Sequence, residues 1–288
     1  MRVRGHNERV TSIDHHREYE RAAAAAAHLA DAGFGDAVAA IQTGSGIPIP
    51  ELDGVSTLAW GEIPGFPEAT APGHAGALHY GCVHGVPVIV MQGRLHGYEG
   101  HAPVDIVRPV RALGLLGVQN LLLTNAAGGV REGWGAGTVV RVRDHINLMG
   151  FDPLRGTHDP RFGDRFPVTA GRAHDAGLAA LADAAAVRLG IALEVGVYGG
   201  VTGPSFETPA EVARMRLYGI DVVGMSTVPE ILAANQLGMR SLVLSLVANP
   251  AGIVADGATA EEEVLEVASR TGRAVMQILE AVIEDLPR

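Results

Sequence analysis

The sequence predicts an α/β fold in which helices flank one central sheet. Strand-like and helix-like stretches alternate along all 288 residues, which is the pattern of a layered α/β domain. The strand-like stretches are short apolar runs such as "VPVIVMQ" (86–92) and "VQNLLLT" (118–124), which read as buried strands. Several of these runs end in glycine, alanine or polar side chains, as expected where strand ends frame a ligand cleft. No fixed-period repeat or linker divides the chain, so one domain is expected over 1–288. Its N-terminal segment (1–35) is helical, and a helix closes the chain over 259–286.

Each element follows from local composition. The alanine-rich run Arg17 to Asp31, with charges at its start, predicts a helix. "DAVAAIQTGSGIP" (36–48) reads as a short buried strand ending in glycines, and "GALHYGCVHGVPVIVMQG" (76–93) as a hairpin. "VDIVRPVRALGLLG" (104–117) is a helix with a glycine stop, followed by the strand of "VQNLLLTNAAGG". "LEVGVYGG" (193–200) is a strand, then a loop, then a helix with Pro209 near its first turn. "IDVVGMSTVPEILAANQLG" (220–238) gives a strand, a polar turn and a helix, and "MRSLVLSLVANPAG" (239–252) a last core strand. The C-terminal helix is amphipathic and opens on the capping-box pattern Thr259-x-x-Glu262. Two stretches lack periodicity, Asp53 to Pro72 and Phe151 to Ala173. Long Gly- and Pro-rich loops of this kind tend to be functional or to form contacts.

Composition excludes several function classes. The net charge of −10 argues against nucleic acid or an anionic membrane as partner. No apolar run approaches the ~20 residues that span a bilayer. The first residues lack a secretory h-region, and Cys82 is the single cysteine, which together predict a cytoplasmic protein without an internal disulfide. All 22 Lys+Arg residues are arginine. Schiff-base chemistry, pyridoxal phosphate attachment and a Walker lysine are therefore excluded. The 12 histidines show no HxxxH or HExxH spacing, so no metal site is expected.

The chemistry sits at the strand ends. In "GRLHGYEG" (93–100), an extended backbone puts Arg94, His96 and Tyr98 on one side and Leu95 and Glu99 on the other. Arginine and histidine suit an oxyanion, and tyrosine suits a sugar; a polar hairpin end is an equal reading of the segment alone. "TGSG" (43–46) can cradle phosphate with N–H groups and the Ser45 hydroxyl, though turns of this composition are common. "TNAAGG" (124–129) serves either a ligand or close packing. In "TGPSFETPAE", Phe206 beside Glu207 suits a heteroaromatic base bearing N–H donors, while Glu207 also fits an ordinary helix N-terminus. The Asn249 amide either contacts a ligand or closes a turn.

Taken together and in order, "GSG" (44–46), "GRLHGYEG", "LLLTNAAGG" (121–129), "RDHINLMGF" (143–151), "RFGDRFP" (161–167), "GPSFETPAE" (203–211), "VVGMSTVPE" (222–230) and "SLVAN" (245–249) resemble the purine nucleoside phosphorylases of the trimeric type. The resemblance implies a three-layer α/β/α sandwich with a central mixed β-sheet. It also implies reversible phosphorolysis of purine (deoxy)ribonucleosides to free base and pentose 1-phosphate, with inorganic phosphate as co-substrate and no cofactor. By position, Ser45, Arg94, His96, Ala126 and Ser226 would hold phosphate, and Tyr98 and Met225 the ribose. Phe206, Glu207, Val223 and Asn249 would hold the base, with His96, Glu207 and Asn249 catalytic. Phe162 would reach a neighbouring subunit's ribose site in a homotrimer.

The chain departs from the family pattern at three places. Pro48 replaces the last glycine of "GSGLG", and "ANP" (248–250) replaces Thr-Asn-Lys or Thr-Asn-Leu. Ala260 or Glu261 stands where a histidine usually meets the 5′-hydroxyl, so weak 5′ discrimination is expected. The Glu207–Asn249 pair implies 6-oxopurines such as inosine and guanosine. A 5′-methylthioadenosine or other 5′-modified nucleoside phosphorylase, a xanthosine phosphorylase and a non-catalytic nucleoside binder are the alternatives.

Overall fold

The computed structural model describes residues 13–68, 70, 75–253 and 260–287, the side chains of 260–264 excepted. In order the elements are α1 (His15–Asp31), β1 (Ala39–Thr43), β2 (Asp53–Ala59), β3 (Ala77–Val83), β4 (Val86–Gln92), α2 (Pro103–Leu116), β5 (Asn120–Gly129) and β6 (Val139–Asn147). They continue with α3 (Ala176–Leu189), β7 (Glu194–Gly200), α4 (Pro209–Leu217), β8 (Val222–Gly224), α5 (Val228–Gln236), β9 (Arg240–Pro250) and α6 (Ala260–Glu284).

The nine strands form one mixed sheet in the order β2-β3-β4-β1-β5-β8-β7-β6-β9, and β9 pairs back onto β5. The strands from β5 to β9 thus close into a ring, while β1 to β4 extend as an open wing. β1 lies parallel to both β4 and β5, and β5 parallel to β9, so these chains leave the sheet at the same edge. Helices cover both faces. One apolar cluster packs α1, α2 and α5 on the sheet, including Leu29, Val107, Leu113 and Ile231; a second packs α3 and α6, including Leu178, Met276 and Leu279; a smaller third packs α4 through Val212 and Met215. Each fully buried aliphatic side chain contributes on the order of 1.5–3 kcal/mol.

The helix ends match the chain's chemistry. Asp14 caps α1 by accepting from the His16 and Arg17 N–H groups, and Asp175 caps α3 through Leu178 N–H. Gly117, at φ 110°, stops α2 in the left-handed region that favours glycine. The Thr259–Glu262 capping box lies outside the described residues and side chains, as does the chain before Ile13.

Two parts of the sheet escape a reading by pattern. β2 falls in the aperiodic stretch 53–72 because it is an edge strand, exposed nearly throughout, with no buried face to impose alternation. β6 carries "VRDHIN", whose outer half is partly exposed; its pairing with β7 and β9 makes it a strand.

Candidate active site

The parallel strand ends open into one cavity of about 130 Å³. β1 delivers Ser45, β4 delivers Arg94, His96 and Tyr98, and β5 delivers Asn125 to Gly128. Phe206 and Glu207 enter from the loop before α4; Val223, Gly224, Met225 and Ser226 from β8 and its turn; Asn249 from β9. Every site residue read from the sequence lines this cavity except Phe162.

Arg94 is buried, with side-chain exposure of 1%, and its donors are sorted. Nε donates to Glu230 Oε1 at 2.8 Å and Nη1 to the Thr124 carbonyl at 2.9 Å, while Nη2 has no hydrogen-bond partner among the described residues. A buried, unmatched guanidinium N–H at a cavity wall is a site for an anion. Gly44 lets the serine loop approach. A Cβ there would lie 2.7 Å from the Asn125 Cα, and the Gly44 N–H donates to Thr124 Oγ1.

The expected alternation through 94–99 fails after His96. Gly97–Glu99 form a 3₁₀ turn, which folds Tyr98 back onto His96 with ring centroids 4.6 Å apart. Glu99 consequently does not point away. Its Oε1 accepts from the His96 N–H at 2.7 Å and lies 3.0 Å from His96 Nδ1, so the ring presents a protonated Nδ1 to the carboxylate. Burial alone would raise the Glu99 carboxyl, but hydrogen bonds from His96 and Thr70 outweigh it and hold the group well below the usual range. Glu99 thus stays ionised and orients the histidine.

Glu207 and Asn249 also line the cavity. Burial raises the Glu207 carboxyl above its ordinary value, and neighbouring Glu211 adds to the shift. Phe206 beside it is 44% exposed, leaving an aromatic face at the mouth. Asn249 is buried at a register shift where β9 has one residue more than β5 between Ala127 and Gly128. Such a bulge re-aims a side chain, and Asn249 lines the cavity while its Nδ2 donates to the Pro250 carbonyl at 3.2 Å.

Phe162 does not project from the chain. It is 1% exposed and packs edge-on against Tyr19 and His15, with the Arg111 guanidinium 4.2 Å from its ring centre. Within its own chain the ring is enclosed by α1 and α2 and does not line the cavity.

Several residues around the cavity carry no signal in the sequence. Tyr198 on β7 is fully buried, and its hydroxyl donates to the Ser226 carbonyl. Asn125 Nδ2 donates to Thr227 Oγ1, and Glu230 stands behind Arg94. The pattern "TVPE" contains two of these residues, but as a capping box it predicts a different use for them. Among the described residues one group has ligand atoms close enough for a metal: Asp144, His145 and His174, all within 4.8 Å of one another. It lies on β6 and the segment before α3, outside the cavity lining, and His145 Nδ1 is already 3.1 Å from His174 Nε2.

Comparison with known proteins agrees with this geometry. The family model of the phosphorylase superfamily matches residues 39–284. Purine nucleoside phosphorylase 1 of Bacillus subtilis is 44% identical over 84% of this chain and 89% of its own length. The chain belongs to the purine nucleoside phosphorylase family. The Bos taurus purine nucleoside phosphorylase is 39% identical over 86% of this chain and 89% of its own. A crystal structure of the Schistosoma mansoni purine nucleoside phosphorylase in complex with inosine superposes with a TM-score of 0.87 at 36% identity, covering 93% of this chain and 97% of that one. The same enzyme in complex with adenosine gives 0.87 at 35% identity, over 93% and 98%. Membership of the purine nucleoside phosphorylase family makes the chain an enzyme, a transferase of the phosphorylase type, with the mixed α/β sheet of its structural relatives.

Proposed function

We propose that this cavity cleaves 6-oxopurine nucleosides with inorganic phosphate, releasing base and (deoxy)ribose 1-phosphate. The observation that carries the reading is a buried guanidinium with an unmatched Nη2 in the wall of a cavity also lined by Glu207 and Asn249. Breaking the bond at C1′ builds positive charge on the sugar and negative charge on the departing base. Phosphate held by Ser45, Arg94, His96, the Ala126 backbone and Ser226 stabilises the first. Glu207, accepting from the N1–H side, and Asn249, bonding near N7, stabilise the second; preorganised groups of this kind often supply the largest share of catalysis. Tyr98 and Met225 line the ribose, and Phe206 and Val223 the faces of the base. Glu207 and Asn249 place this reading ahead of adenosine, whose N1 carries no proton. The adenosine complex of the relative makes adenosine the comparison to run.

The reading requires no cofactor or metal, and we place the enzyme in the cytoplasm as a homotrimer. The substitution of the usual histidine by Ala260 or Glu261 supports weak 5′-hydroxyl discrimination; the side chains there lie outside those described. Release of hypoxanthine from inosine that rises with phosphate and vanishes without it is the expected result. Base release independent of phosphate makes the enzyme a hydrolase, and binding without turnover makes it a nucleoside binder. Adenosine turned over as fast as inosine would sink the 6-oxopurine preference. Comparable rates on inosine and its 5′-deoxy analogue are expected, and strict dependence on the 5′-hydroxyl overturns the weak discrimination.

A further inference from the structure

We propose that Glu230 is a positioning residue for Arg94, obtained by diverting the cap of α5 to the phosphate site; the inference rests on the phosphate reading above. α4 and α5 open with the same spacing, Thr208-x-x-Glu211 and Thr227-x-x-Glu230, so α4 is an internal control for what this pattern does unhindered. In α4 it closes a capping box: Glu211 N–H donates to Thr208 Oγ1 at 3.3 Å, and Thr208 N–H donates to Glu211 Oε2 at 2.8 Å. Thr208 keeps an ordinary backbone at φ −72°.

In α5 neither half forms. Thr227 stands at φ 72°, ψ −45°, makes no cap bond, and its Oγ1 instead accepts from Asn125 Nδ2 at 3.1 Å. Glu230 turns away from the cap and accepts from Arg94 Nε. A β-branched residue at positive φ is an outlier, here held in a tight turn by the Val228 N–H donating to the Ser226 carbonyl at 2.8 Å, and it persists only where its surroundings impose it. Local rules broken together, beside a ligand cavity, mark a site built against helix preference.

The effect on Arg94 is geometric. Bonds from Nε to Glu230 and from Nη1 to the Thr124 carbonyl fix the guanidinium plane from two sides. Nη2 is then the donor left for an oxyanion, held in place before the ligand arrives. Both side chains of the pair are 1% exposed, so the pair enters the interior without net charge. Oε2 of Glu230 has no partner among the described residues, which means a single acceptor oxygen performs this task.

The test compares Glu230→Met, which keeps volume and removes the acceptor, with Glu230→Gln, which keeps the acceptor. Phosphate and inosine saturation curves are measured for each and for the wild-type chain. Glu230→Met is expected to raise the phosphate KM by about tenfold or more while the inosine KM moves less than about threefold, and Glu230→Gln to return the phosphate KM to within about threefold. An unchanged phosphate KM in Glu230→Met overturns the inference, as does an equal shift in both KM values. Loss of the folded state in Glu230→Met assigns the carboxylate to the core and overturns it too. A wild-type chain that needs no phosphate instead defeats the reading of the pocket, which separates the two failures.

Discussion

Glu207 stands in a loop where burial disfavours its charged form, yet the proposed chemistry uses the carboxylate. Its pKa is raised, so the ionised form is lost as pH falls through a value above that of an ordinary glutamate. Inosine cleavage is therefore expected to fall on an acid limb starting above the usual glutamate range, and Glu207→Gln to abolish that limb; a pH profile of kcat/KM checks both. The sign for stability is opposite. A buried acid with a raised pKa costs the fold stability once ionised, so Glu207→Gln is expected to leave the melting temperature at pH 7 unchanged or higher. Asn249→Ala removes one preorganised amide and is expected to lower kcat/KM by about 10²- to 10³-fold. Its urea midpoint should shift little, because the side chain's hydrogen bond is a single contact to the adjacent Pro250 carbonyl; an unchanged rate refutes the role. Residue type already pointed to these two positions. Alternation assumes a strand, whereas Gly97–Glu99 form a 3₁₀ turn that ends on Gly100 at φ 90°, which brings Glu99 back to His96.

At the scale of elements, the caps separate what is local from what is imposed. Thr208 closes its box, so Thr208→Ala is expected to cost about 1 kcal/mol in urea unfolding. Thr227 makes no such cap bond, and its buried Oγ1 accepts from Asn125 Nδ2 instead; Thr227→Ala is therefore expected to cost about 1–3 kcal/mol through the buried amide left unpaired, not through a lost cap. Helices such as α1 and α2, and the hairpin of β3 and β4, follow from propensity, patterning and glycine stops. β2 and β6 do not, because an exposed edge strand and a half-exposed inner one take their form from partners distant in sequence.

For the whole molecule, Phe162 ties the segment before α3 to α1 and α2. Phe162→Ala is expected to cost about 3–5 kcal/mol, seen as a lower urea midpoint, as for a core ring. A change in the ribose KM with stability intact would return it to the site. We further propose that the chain unfolds as one cooperative unit, which a single calorimetric transition would support. The sequence by itself determined the α/β class, the exclusion of lysine-based chemistry, and the strand-end segments from which the cavity is built, because ligand-facing strand ends need small and polar side chains whatever surrounds them. Tertiary structure alone decided the closure of β5 to β9, the burial of Phe162, the inward turn of Glu99 and the partnership of Glu230 with Arg94. Those depend on contacts between segments as far apart as residues 94 and 230, and neither periodicity nor local propensity encodes which distant side chain will complete a buried charge.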